Sequence, residues 1–166
     1  MNSRELLDEL YGRLPDLVRH AVDGLDADAL CAAPADGANT VGWLVWHLTR
    51  VQDHHLAELV DQPQIWVTDD WGPRFGLASD PHNTGYGHDA DDVAAVRPSN
   101  AAVLVAYFDA VFARTREFIA TLADADLDRV VDTRWNPPVT LGVRLVSVAD
   151  DSLQHAGQAA YVRGLP

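Results

Sequence analysis

The sequence contains no lysine, one cysteine, one methionine and no long apolar run. Cys31 alone can close no intrachain disulfide and cannot assemble a thiolate metal cluster within one monomer, so it is expected to serve as a small buried hydrophobe. No apolar stretch approaches the roughly 20 residues that a spanning helix requires. The polar start, Met1-Asn2-Ser3-Arg4-Glu5, lacks the basic-then-apolar layout of a secretory signal. These absences together predict a chain of the reducing cytoplasm. Positive charge is scarce as well: 12 basic residues, all arginine, stand against 25 acidic ones, a formal net charge of -13 at pH 7. That balance repels phosphate backbones and anionic lipid, so neither nucleic acid nor a membrane is an expected partner.

What the chain does have is apolar periodicity. With 166 residues, 48% of them hydrophobic, it can bury a core as one domain, residues 1–166, without staples. Leu6, Leu7, Leu10, Leu14, Leu17 and Val18 recur at helical steps over residues 3–23, behind Asn2 or Ser3 as cap and with a bend near Pro15. Thr40 caps a second helix carrying Leu44, Val45, Leu48, Val51, Leu56 and Leu59, which stops near Asp61-Gln62-Pro63. Ser99 caps a third through Val103, Leu104, Tyr107, Phe108, Val111, Phe112, Phe118, Ile119 and Leu122. Thr140 opens the last, which runs to Gly164. Between them lie two long connections. The first, residues 63–98, is rich in Gly, Pro, Asp and aromatics, with a short helix expected over 89–96; the second holds Trp135-Asn136-Pro137-Pro138. The expected fold is all-α, a four-helix bundle with two long crossover connections, an architecture that places metal sites between facing helices.

On the last helix, Asp151 and His155 stand at i and i+4, about 5–6 Å apart on one surface, in line with Leu141, Leu145, Val148, Ala159 and Val162. An acid and an imidazole on a core-facing stripe are costly without a partner, and a metal ion would offset that cost. His47, beside the Leu44, Leu48, Val51 line, offers a third ligand from another helix. Three protein ligands leave a coordination position open for water or substrate. Taken alone, Asp-x-x-x-His also describes a buried hydrogen-bonded pair or a solvated face.

The segments Thr40-Val41-Gly42-Trp43-Leu44-Val45-Trp46-His47-Leu48-Thr49-Arg50-Val51 and Asp151-Ser152-Leu153-Gln154-His155-Ala156-Gly157-Gln158-Ala159-Ala160-Tyr161-Val162-Arg163-Gly164 resemble the DinB-like superfamily, including actinobacterial mycothiol-dependent proteins. The resemblance implies zinc or nickel held by one histidine of the second helix and a pair spaced by three residues on the last, commonly His-x-x-x-His. Asp151 departs from that form; in related mycothiol-dependent maleylpyruvate isomerases a carboxylate stands there. Those isomerases also carry a second, C-terminal domain, so isomerisation is not the expected reaction. The activity implied is a metal-dependent S-transferase in which a metal-bound thiolate, of mycothiol type, attacks a small electrophile, from a homodimeric protein. A non-catalytic metal- or ligand-binding bundle and a metal-assisted hydrolase are the alternatives.

His54, seven residues after His47, is expected to move a proton, to orient a ligand or to replace Asp151 as one if that carboxylate points away, or else to sit at the rim of the bundle. Asp53 and Asp150 are expected to face solvent. Trp43, Trp46, Trp66, Trp71 and Phe75 offer walls for a substrate pocket, against core packing for the first two. The segments around Arg74 and around Thr84-Gly85-Tyr86-Gly87-His88 offer a lid, with Arg74 meeting a substrate carboxylate, or ordinary loop structure. Gly42, Gly142 and Gly157 inside helical patterns point to close helix approach.

Overall fold

In the computed structural model, which describes residues 1–165, the first helical stretch is two helices. Helix α1 spans Ser3–Tyr11, with Asn2 and Glu5 forming a reciprocal capping box, and α2 spans Leu14–Val22. The expected bend is a full break at Gly12-Arg13, because Pro15 brings no N–H and its ring would strike the carbonyl four residues back. A short α3, Ala27–Cys31, follows behind its Asp26 cap. Cys31 is only partly buried there, not the core residue expected.

Helix α4, Val41–Val60, is the hub of the fold. Thr40 caps it as expected, and its first ten residues, Val41 to Arg50, are all buried. The connection after it contains α5, Ile65–Thr68, a 3-10 turn, Gly72–Phe75, and α6, Ala90–Ala95, the last capped by Asp89. Helix α7 spans Ala101–Thr121, capped by Asn100 rather than Ser99. A second 3-10 turn, Asp124–Asp128, leads into an antiparallel hairpin that periodicity does not announce: β1, Val130–Asp132, pairs with β2, Val139–Thr140. Thr140 then caps α8, Leu141–Arg163. α8 lies along α4 and also packs on α2; α7 packs on α4, α1 and α2. The all-α class holds, and the two strands are too short to alter it.

The long connection is fastened to α4 by two charged side chains that are 0% exposed, Arg50 and Asp53. Asp53 accepts from the Ile65 and Trp66 backbone N–H groups (3.0 and 2.8 Å) and from the Tyr107 hydroxyl (2.8 Å). Arg50 donates to the Asn83 and Pro81 carbonyls (3.0 and 3.2 Å), Gln64 Oε1 (2.9 Å) and the Tyr107 hydroxyl (3.2 Å), and lies over the Trp66 ring. The solvent-facing position expected for Asp53 is therefore wrong. Gln64 gives α5 no side-chain cap, and Asp53 supplies one from α4. Asp150 does face solvent.

Close approach explains two of the three helical glycines. A Cβ on Gly42 would lie 2.8 Å from the Leu30 carbonyl, and one on Gly142 would lie 3.3 Å from Leu127, whereas at Gly157 no described residue comes within 4 Å.

Candidate metal centre

Where α4 faces α8, His47, Asp151 and His155 converge, with one ligand atom from each lying within 4.8 Å of the others. Asp151 Oδ1 is 3.5 Å from His155 Nε2 and 4.0 Å from His47 Nε2. Each imidazole is oriented by its other nitrogen. His47 Nδ1 donates to the Thr84 carbonyl (2.5 Å), and His155 Nδ1 donates to Gln158 Oε1 (2.8 Å). Both Nε2 atoms consequently turn lone pairs toward the carboxylate, the outer arrangement that fixes tautomers at metal-binding histidines. Trp43 stacks on the His47 ring at 4.6 Å and is itself held by an Nε1–H bond to His88 (3.1 Å).

Three acceptors aimed at one point require something positive between them. Asp151 Oδ2 is also buried, with no hydrogen-bond partner among the described residues. A divalent ion would answer both facts, since two imidazole nitrogens and a carboxylate oxygen are a donor set that suits zinc or nickel. A proton is the lesser alternative. The Asp151 carboxylate, accepting a hydrogen bond from the protonated imidazole, pushes His155 up from its ordinary value, while burial pulls the His47 imidazole down.

His47 and Asp151 border a cavity of about 670 Å³ whose walls also include Val51, His54, His55, Arg144, Val148 and Trp135, with His155 behind them. His54 belongs to this wall and not to the ligand group; its nearest titratable neighbours are His55 and Glu58. Gln64 Nε2 donates to His54 Nδ1 (3.1 Å), and the amide cannot be turned around because Arg50 holds its oxygen. His54 is thereby the neutral Nε2–H tautomer, a donor. The same bond argues against a second metal at His54, His55 and Glu58, since a ligating Nε2 would need a proton on Nδ1, facing the amide N–H groups.

The expected aromatic walls are elsewhere. Trp46, Trp66 and Phe75 are 0% exposed, and the last two pack with Trp71 and Tyr107 under the long connection. The Trp and Tyr rings that do line the cavity are Trp135, on the hairpin and 66% exposed, and Tyr86. Arg74 lies over the Trp71 ring at 4.1 Å, away from the cavity. Of the two expected lid segments only the second contributes, through Thr84 and Tyr86. Arg144 and Asp132 escaped the sequence reading. Arg144, seven residues before Asp151 on the same stripe, carried a usable signal; Asp132, in an unrecognised strand, carried none.

An all-α fold with a two-histidine, one-carboxylate centre between facing helices defines a DinB-like protein with a candidate divalent-metal site. Its relatives agree. The family model for mycothiol-S-transferase matches residues 7–165, and the chain belongs to that family. A crystal structure of a conserved protein from Enterococcus faecalis has a TM-score of 0.89 at 29% identity, covering 98% of this chain and 96% of that one. No curated protein matches the chain.

Proposed function

We propose that the protein is a metal-dependent S-transferase for a small thiol of mycothiol type, with zinc or nickel held by His47, Asp151 and His155. The observation that carries this reading is the convergence of three acceptors, one with an unpartnered buried oxygen, at the wall of an open cavity. When bound, the ion supplies positive charge that favours the thiolate form of a thiol near neutral pH. The chain's own residues do the rest. Thr84 and Gln158 hold the imidazoles in register, Val51 and Val148 give the cavity an apolar stretch beside the ligand atoms, and the open mouth lets the thiol proton leave to solvent. The sulfur–substrate bond forms as the electrophile's leaving group departs with its electron pair, and His54, an Nε2–H donor two helical turns along α4 from His47, hydrogen-bonds a distal polar group of the electrophile rather than taking the thiol's proton.

The partners in this reading are a small-molecule thiol and an electrophile, in a homodimeric protein of the cytoplasm. The net charge of -13 argues against nucleic acid, and among the described residues no helix is long and apolar enough to cross a membrane. The test is elemental analysis of protein purified without chelator or metal-affinity resin, beside His155→Ala and His47→Ala, followed by thiol titration. Near-stoichiometric zinc or nickel that both variants lose, with thiol binding to the loaded protein, supports the proposal. A folded protein that takes up no metal refutes it, and one that binds metal but ignores thiols leaves a ligand-binding bundle or a hydrolase.

A further inference from the structure

Two helical turns from the ligand atoms the cavity changes character. Arg144 precedes Asp151 by seven residues on α8, and His54 and His55 follow His47 by seven and eight on α4, so the antiparallel helices bring them level. Asp132 lies against Arg144 and Arg134. It accepts from Arg134 N and Nε on Oδ1 (both 2.9 Å) and from Arg134 NH2 and Arg144 NH2 on Oδ2 (both 2.8 Å). That carboxylate is saturated, and of the two guanidinium charges on it one is left to Glu58, which acts on Arg134 only from a distance.

Arg144 also has donors to spare. Its NH1 is 3.3 and 3.4 Å from the two ring nitrogens of His55, nearly equidistant, so neither receives a well-directed bond. His54 lines the same cavity, its Nε2 at 3.6 Å from Glu58 Oε1. Glu58 approaches both imidazoles at 3.6 Å, but it is 51% exposed and lines, with Arg129 and the far sides of Arg144 and His55, a smaller adjacent space of about 220 Å³ instead of this cavity. Burial, and next the Arg144 cation, push the His55 imidazole down to about 4. Around this end, then, stand donors and a net positive charge, in a chain that is otherwise strongly acidic.

We infer that the Arg144 end of the cavity is a carboxylate-binding subsite, so that the molecule whose reacting atom meets the metal ligands carries a carboxylate roughly 10 Å away. The inference rests on the thiol-transfer reading for which atom reacts; the subsite itself does not depend on it. A planar carboxylate fits the two-pronged guanidinium edge, and the apolar wall of Val51 and Val148 between the two ends suits a hydrocarbon spacer.

The test is calorimetric titration of the full chain with octanoate and octanol, and of the zinc-loaded chain with 8-mercaptooctanoate and 8-mercaptooctanol. Each acid is expected to bind about 10-fold more tightly than its alcohol. The preference should vanish in Arg144→Met and grow in Asp132→Asn, which releases both arginines. Equal affinities for acid and alcohol, a preference that survives Arg144→Met, or one that shrinks in Asp132→Asn overturns the subsite. Should Arg144→Met fail to fold by circular dichroism, the exposed Arg134→Gln takes its place, with a partial loss of preference expected and an unchanged preference counting against. If 8-mercaptooctanol binds no better than octanol, the thiol-transfer reading fails, while the octanoate comparison still decides the subsite.

Discussion

Gly85→Ala is the most searching perturbation of the metal centre, because it leaves every proposed ligand in place. Gly85 has a φ of +92°, and a Cβ there would sit 2.5 Å from His47 Nδ1, 3.0 Å from the Trp46 ring and 3.1 Å from the Trp43 ring. The backbone conformation alone costs an alanine about 1–2 kcal/mol. The clash cannot be relieved at the rings, since Trp46 is 0% exposed and Trp43 is stacked on His47. The chain at Thr84 and Gly85 must retreat instead, which takes the Thr84 carbonyl from His47 Nδ1 and lets the imidazole change tautomer or swing. Loss of such an orienting partner lowers metal affinity about 10–100-fold. Zinc affinity, measured by competition with a chromophoric chelator, should fall within that range, and the urea midpoint should fall by an amount matching about 2 kcal/mol. A folded Gly85→Ala protein with zinc affinity within twofold of wild type would refute the claim that the Thr84 carbonyl sets the His47 tautomer.

Asp53→Asn should destabilise the chain by about 3 kcal/mol in urea denaturation, because an amide cannot accept from the Ile65 and Trp66 N–H groups and the Tyr107 hydroxyl together and leaves Arg50 without its buried counter-charge; a loss under 1 kcal/mol would contradict the role given to Asp53. For His55 the folded-state value of about 4 lies below the ordinary 6.5, so the unfolded chain takes up the proton first as pH falls. Its contribution to stability is present above pH 6.5 and is lost down to pH 4, on the order of 3 kcal/mol in all. Wild type should lose stability across that window more steeply than His55→Gln; parallel slopes would show that His55 is not held neutral. Gln64→Glu replaces the N–H donor facing His54 Nδ1 with an acceptor, so ¹⁵N NMR should show the proton on Nδ1 in the variant and on Nε2 in wild type. An Nδ1-protonated wild type would return His54 to the role of a base.

Helix termini and ligand spacing were readable because each depends on neighbours along the chain. Thr40, Asp89 and Thr140 cap where their side chains can reach an amide two or three residues on, and Asp151 and His155 share a face through a single turn. The hairpin was not readable: its strands have three and two residues, too few to show a period of two. Asp53 misled for a related reason. A charged pair at i and i+3 on a helix reads as a solvated face, and nothing local shows that α5 will start against it with bare N–H groups. The substrate-wall expectation failed because tryptophans beside a long polar connection are equally what a buried connection needs for its own core, and Trp66 and Trp71 are used that way.

The buried Arg50 and Asp53 and the candidate metal centre are parts of one arrangement. Helix α4 turns His47, Val51 and His54 toward the cavity and Arg50 and Asp53 toward the connection that follows it. Arg50 holds the Pro81 and Asn83 carbonyls, and the next residue, Thr84, supplies the carbonyl that orients His47. The same guanidinium fixes the Gln64 amide, and the amide fixes the His54 tautomer. One buried arginine therefore stands behind both a ligand nitrogen that must be free of a proton and a wall nitrogen that must carry one. A charge buried at 0% exposure is a poor way to stabilise a fold when an apolar side chain would fill the same space. Setting two imidazole tautomers along one wall of a cavity is something an apolar side chain cannot do.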